Sequence, residues 1–234
     1  MQIVEHSIVG TRSAVLNLRL RGARLRILLF PMFHVASPGF YSAVTERLRQ
    51  CDLLVVEGVS GRSPLVRAIT LTYRIIPANR RSGLVVDNIG YRSLGVPIIN
   101  SDVTATEFRQ TWRAIPLRHR LTAWCLIPFV IVAQFFRGRR FLLSAGIELN
   151  DLPSPAEEDA SADPFSEHFD RAFGGDRDER VLATLSGLIR TRSAEPITVA
   201  VVYGAQHIPT FVAELHARQG YRATSAEWIT VLSM

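Results

Sequence analysis

Residues Ile197–Tyr203 read ITVAVVY, and Gly204-Ala205-Gln206-His207-Ile208-Pro209 follows directly. A continuous apolar and β-branched run with no alternation marks a strand buried on both faces, as in the interior of a parallel sheet. Pro209 then sits at the start of a helix reaching Gln219, and Gly220 ends it, because glycine accepts the left-handed conformation of a helix terminus. Strand, tight turn with a polar side chain, then helix: this order is the repeating unit of an α/β sheet.

The rest of the chain repeats that rhythm. Ala14–Leu20 and Arg24–Phe30 alternate and are rich in β-formers, with Arg21-Gly22-Ala23 as the turn of a hairpin. Ser37-Pro38 caps and starts a helix running to about Gln50. Leu53–Val56 (LLVV) is a second buried strand, and Gly95–Ile99 (GVPII) holds a third. Ser63–Ile76 is apolar at helical spacing, and Thr104-Ala105-Thr106-Glu107 fits a capping box that opens another helix. Asp178–Arg192 is helical on the spacing of Val181, Leu182, Leu185, Leu188 and Ile189, and Tyr221–Ser233 holds one or two closing strands. The expected architecture is a single α/β domain over residues 1–234. Its central sheet is mixed but mostly parallel and flanked by helices, with an apolar helical segment around 121–136. Asn150–Phe165 (NDLPSPAEEDASADPF) reads as an acidic, Pro/Ser-rich loop.

Composition narrows the chemistry. The chain has 234 residues, 47% hydrophobic and 21% charged, which is ordinary for a globular protein. Its two cysteines, Cys51 and Cys125, supply neither a disulfide framework nor a cysteine-rich zinc site. All 27 basic residues are arginine, which excludes lysine Schiff bases and Walker-type phosphate binding. H-E-x-x-H, G-x-G-x-x-G and EF-hand patterns are missing, and Gly58-Val59-Ser60-Gly61 falls one residue short of a nucleophile elbow. The opening residues show no secretory signal, so a cytoplasmic location is expected.

The formal charge of +6 is concentrated in one place. Between Phe108 and Ile147 lie seven arginines and no carboxylate, and the remaining chain holds twenty arginines against 21 acids. Inside that stretch Leu121–Phe136 (LTAWCLIPFVIVAQFF) carries no charge. Sixteen helical residues rise about 24 Å, short of a hydrocarbon core of about 30 Å, and Pro128 interrupts them. A core helix, a helix lying on an anionic membrane surface, and a membrane span are the three readings of this segment. Nucleic-acid binding is not expected, because no recognition motif accompanies the arginines.

The informative feature is positional. His34 follows the run ending at Phe33, Glu57 follows Val56, Asp102 follows Asn100, and His207 follows Tyr203 through a short turn. Ligands of open α/β sheets bind beyond the carboxyl ends of the strands. Two imidazoles and two carboxylates delivered there suit a divalent-metal or acid–base site, although Glu57 and Asp102 could equally cap the turns that follow them.

The segment Gly204-Ala205-Gln206-His207 with its apolar helix and Gly220-Tyr221 resembles the C-terminal G-x-x-H motif of the TraB/Tiki proteins, relatives of erythromycin-esterase-like and ChaN-like proteins. Phe33-His34-Val35-Ala36-Ser37-Pro38 is similar to that family's first G-x-x-H motif, and Val55-Val56-Glu57-Gly58 to its strand-end glutamate. Pro31 stands where the family has glycine, so the resemblance implies a site that is reshaped at this point. It implies a metal-dependent peptidase for the Tiki branch, and an esterase or an iron/haem-binding protein for other branches. His34, His207, Glu57 and Asp102 would then hold a divalent ion such as manganese, cobalt or zinc, with Glu57 also as general base and a peptide or ester as substrate. Two further readings stand beside it: a metal-free acid–base pair of Glu57 and His34, and a non-catalytic membrane-surface or regulatory protein using the basic apolar segment 108–147.

Overall fold

The computed structural model describes residues 2–57, 83–87, 89–101, 104–122, 124–125 and 176–233. The helix expected over Ser63–Ile76, Ser60, Asp102, His168, the acidic loop of 150–165 and all but the first few residues of Leu121–Phe136 lie outside them.

Strands β1 (Val4–Ser7), β2 (Gly10–Arg19) and β3 (Arg26–Met32) come first, followed by the short β4 (Val35–Ala36) and helix α1 (Pro38–Leu48). Then come β5 (Leu53–Val56), β6 (Val85–Val86), a 3-10 turn at Tyr91–Leu94, β7 (Ile98–Asn100) and helix α2 (Ala105–Ala114). Helix α3 (Asp176–Arg192), β8 (Thr198–Gly204), a 3-10 turn at Ala205–His207, helix α4 (Ile208–Gln219) and β9 (Arg222–Ser233) complete the order.

The ITVAVVY strand is central. β8 lies parallel to β3 on one side and to β5 on the other, and β7 continues the parallel set beyond β5. The antiparallel part is built on β2, which pairs β3 and β1 along one edge and β9 along the other. The expected mixed, mostly parallel sheet is therefore present. β1 was not expected, and of the one or two closing strands expected there is one, of twelve residues.

Alternation along the central strands divides the core into two layers. Val199, Val201 and Tyr203 pack with Ile27, Leu29, α3 residues Val181, Leu182 and Leu185, and α4 residues Phe211 and Leu215. Ala200 and Val202 face the other way, with Phe30, Val56 and the α1 residues Phe40, Tyr41, Val44 and Leu48. Period-two strand geometry and helices on both faces explain why the sequence run has no charged residue. Each fully buried leucine, valine or phenylalanine contributes roughly 1.5–3 kcal/mol relative to exposure.

Local signals match the elements. Ser37 accepts from the Phe40 amide, with Pro38 at the first helical position. Thr104 and Glu107 form the reciprocal capping box of α2. Gly220 ends α4 at φ 72°, a conformation in which a side chain would be strained. Pro31 stands inside β3 without breaking it. The β2–β3 ladder stops at Leu29, so the missing N–H leaves no rung open on that side. The Pro31 carbonyl there accepts from the Ser13 hydroxyl at 3.1 Å. Among the described residues no helix is long and apolar enough to cross a membrane.

Candidate functional site

Because β3, β5 and β8 are parallel, their carboxyl ends open on one rim. Three of the four residues expected at such a rim are described, and each follows its strand as the sequence indicates. His34 lies beyond β3, Glu57 directly beyond β5, and His207 in the turn after β8.

Glu57 is the best anchored. Its Oε1 accepts from Arg177 Nη2 at 2.9 Å, and its Oε2 accepts from the Gly204 amide at 2.8 Å. The Gly204 backbone is thus tied to the end of β5. A Cβ at Gly204 would lie 3.4 Å from Glu57 Oε2 and 3.6 Å from His207 Cδ2, which places both side chains against this one glycine.

His207 sits lower, 5% exposed. Its Nδ1 is 2.8 Å from Asp178 Oδ1. That oxygen is buried, with no hydrogen-bond partner of good alignment among the described residues. Nε2 lies 3.2 Å from the Gln206 amide nitrogen. The ring stacks on Phe211 at 6.2 Å and meets Tyr203 edge-on. The turn is held in place by apolar packing, and the imidazole opens on the rim through little surface.

His34 is exposed, and its surroundings bring in a residue that sequence reasoning missed. β4 and β6 form a two-stranded ribbon, pairing Val35 with Val86, and the Asp87 amide donates to the His34 carbonyl at 2.9 Å. Burial holds the Asp87 carboxyl above the usual carboxylate range. The Ile89 amide at 3.0 Å, the charge of His34 and the Tyr91 hydroxyl at 3.5 Å oppose that rise, while the charge of Glu57 adds to it. The Tyr91 phenol is itself pushed far up, first by burial and then by the charges of Asp87, Tyr41 and Glu57. Asp87 therefore stands within electrostatic reach of both His34 and Glu57.

Arg177 and Asp178 were also missed as site residues. Asp178 appears in the sequence only as the start of an amphipathic helix, and Arg177 as one basic residue among many. Their role depends on α3 laying its first turn across the ends of β5 and β8. The one sequence signal for Asp87 is its place after Val85-Val86, a run too short for its period to be read.

A resident divalent ion is not matched by the described donors. No three His, Cys, Asp or Glu side chains among the described residues group around a point that an ion could occupy. Glu57, the central carboxylate, already faces a guanidinium, which repels a cation. His34, Glu57 and His207 thus share a rim without forming a ligand shell, and Asp102 lies outside the described residues. A cavity of about 290 Å³ lies elsewhere, between α1 and β9, with Phe30, Arg47, Cys51 and Glu227 in its wall; none of the expected site residues lines it.

Compared with family models, curated proteins and solved structures, the chain finds no match.

Proposed function

We propose that the rim is a hydrolytic site working by carboxylate acid–base catalysis on a peptide or ester. The observation that carries this reading is the placement of Asp87 next to His34 across the β4–β6 ribbon, within electrostatic reach of Glu57, with its carboxyl held above the usual range. Two carboxyl groups at one rim can divide the acid and base roles between them when burial favours the protonated form of one, here Asp87. Glu57, paired with Arg177, is the base. Each of its oxygens accepts one hydrogen bond from the protein and keeps a second lone pair for a water proton. Asp87, whose protonated form burial favours, delivers a proton to the leaving oxygen or nitrogen, and exposed His34 relays protons to solvent. Arg177 and Gly204 fix the base, and Asp178 and Phe211 hold the His207 turn below it.

The two histidine motifs and the strand-end glutamate that resemble the TraB/Tiki proteins support a hydrolase and carry no weight for the choice of bond. No step is routed through a metal, since the described donors do not fit one.

The test is turnover of generic p-nitrophenyl esters and a peptide library by the purified chain. Glu57→Gln and Asp87→Asn should each lower kcat/KM by about 10²–10⁴-fold while still folding cooperatively. Activity should also survive a strong chelator. Turnover that is abolished by the chelator and restored by manganese, cobalt or zinc would return the site to the metal-dependent reading. No turnover of any substrate would remove the hydrolase.

A further inference from the structure

Among the described residues, the most exposed large apolar side chains outside the β1–β2 turn stand together on one short stretch. Residues 117–122 and 124–125 are helical, and Leu117, Leu121 and Trp124 are 62%, 56% and 44% exposed. Their spacing of four and then three residues puts all three on one helical face. Arg118 and Cys125 are exposed beside them, while His119 and Arg120 turn inward and are half-buried. Isolated exposed leucines are normal on a protein surface, but a leucine–leucine–tryptophan stripe facing water is not.

Charge indicates what covers the stripe. Arg109, Arg113 and Arg118 are exposed on or just before this helix. Among the described residues of this stretch the one carboxylate, Glu107, is already paired with Arg180. In sequence, the forty residues from Phe108 to Ile147 hold seven arginines and no acid. An apolar partner protein would gain nothing from unneutralised guanidinium groups at the edge of its contact. A layer of anionic headgroups over acyl chains would meet both the arginines and the leucines. Tryptophan favours the headgroup depth, and arginine stems reach from apolar surface to phosphate.

We propose that this stripe seats the protein in the plane of an anionic membrane surface. Leu117, Leu121 and Trp124 enter the headgroup–acyl boundary, and Arg113 and Arg118 meet lipid phosphate. The inference is independent of the hydrolytic reading.

Cys125 gives a direct readout on the unaltered chain. Its alkylation by a water-soluble maleimide should slow at least tenfold with vesicles of phosphatidylcholine and phosphatidylglycerol at 3:1, and should stay unchanged with pure phosphatidylcholine. Co-flotation with the anionic vesicles should fall about fivefold in Arg118→Gln, the loss of one basic residue near the surface. It should fall at least tenfold in Leu117→Ser/Leu121→Ser/Trp124→Ser, and also on raising salt from 0.1 to 1 M, where the screening length shrinks from about 10 Å to 3 Å. Three results overturn the proposal. They are unchanged Cys125 alkylation with anionic vesicles, flotation indifferent to the triple substitution, and protection of Cys125 that grows with protein concentration without lipid, which would make the stripe a contact between copies.

Discussion

The Gly204 amide donates to Glu57 Oε2 at 2.8 Å across 147 residues of sequence, joining the ends of β8 and β5 through a backbone group that no side-chain substitution removes. Gly204 has φ −50° and ψ 138°, which alanine adopts without strain, and its Cβ would reach ordinary contact distance of Glu57 and His207. Gly204→Ala should therefore fold with a stability within about 1 kcal/mol of the parent. Ester hydrolysis should fall about tenfold, because the methyl lies against Glu57 Oε2, one of the two oxygens open to a water proton. Urea unfolding together with kcat/KM checks this. Unchanged kcat/KM would show that this side of Glu57 is not used.

Arg177 is the other partner of Glu57, and both side chains are largely buried, 11% and 24% exposed. Removing one partner of such a pair leaves a poorly solvated charge behind, whereas removing both leaves none. Arg177→Met should lower the unfolding free energy by roughly 2 kcal/mol, less than for a fully buried pair because Glu57 keeps some solvent. In Arg177→Met/Glu57→Gln most of that loss should return. A double variant as unstable as the sum of the two singles would mean that Arg177 acts through packing alone.

The sequence located His34, Glu57 and His207 because strands such as LLVV and ITVAVVY are long and apolar enough for their ends to be read directly. The caps at Ser37 and Thr104 were legible for a similar reason, since each is a local hydrogen bond between residues three apart. Asp87 was not legible, because it is placed by a two-residue strand that pairs only in the folded chain. Nor were Arg177 and Asp178, whose contacts lie 120 residues away or depend on where α3 crosses the sheet. β1 escaped because four residues of which only Val4 is buried show no period.

The two thiols should separate by reactivity. Cys51 is buried, and burial first, with Asp52 adding and Arg26 opposing, pushes its thiol up to about 11; its sulfur also donates to the Arg47 carbonyl at 3.4 Å. Thiolate is the reactive form, so at pH 8 only about one Cys51 in a thousand is available. Cys125 is exposed. Native protein should titrate as one fast thiol, and a second should appear only on unfolding. Two fast thiols in the native state would show that α1 does not cover Cys51 in solution.

Asp87 and Glu227 should impose opposite pH dependences on stability. Burial raises Asp87 in the fold, so the fold binds its proton more tightly than the unfolded chain does. Its contribution is complete below the unfolded value of about 3.9 and is lost as pH rises through the folded value. Glu227 is lowered by its hydrogen bond to Arg47. Its contribution is present above the unfolded value of about 4.3 and is lost as pH falls through the folded one. Asp87→Asn keeps an oxygen for the Ile89 amide and removes the buried charge, so it should be more stable than the parent at pH 7, with the advantage gone by about pH 3.5. Glu227→Gln should be less stable than the parent at pH 7 by at most about 1 kcal/mol, since the pair is well exposed, and equal to it in acid. Thermal melts of the three proteins between pH 3.5 and 8 decide the matter. A Asp87→Asn variant less stable than the parent at pH 7 would mean that the ionised carboxylate is held by its neighbours, and Asp87 would lose its role as the proton donor.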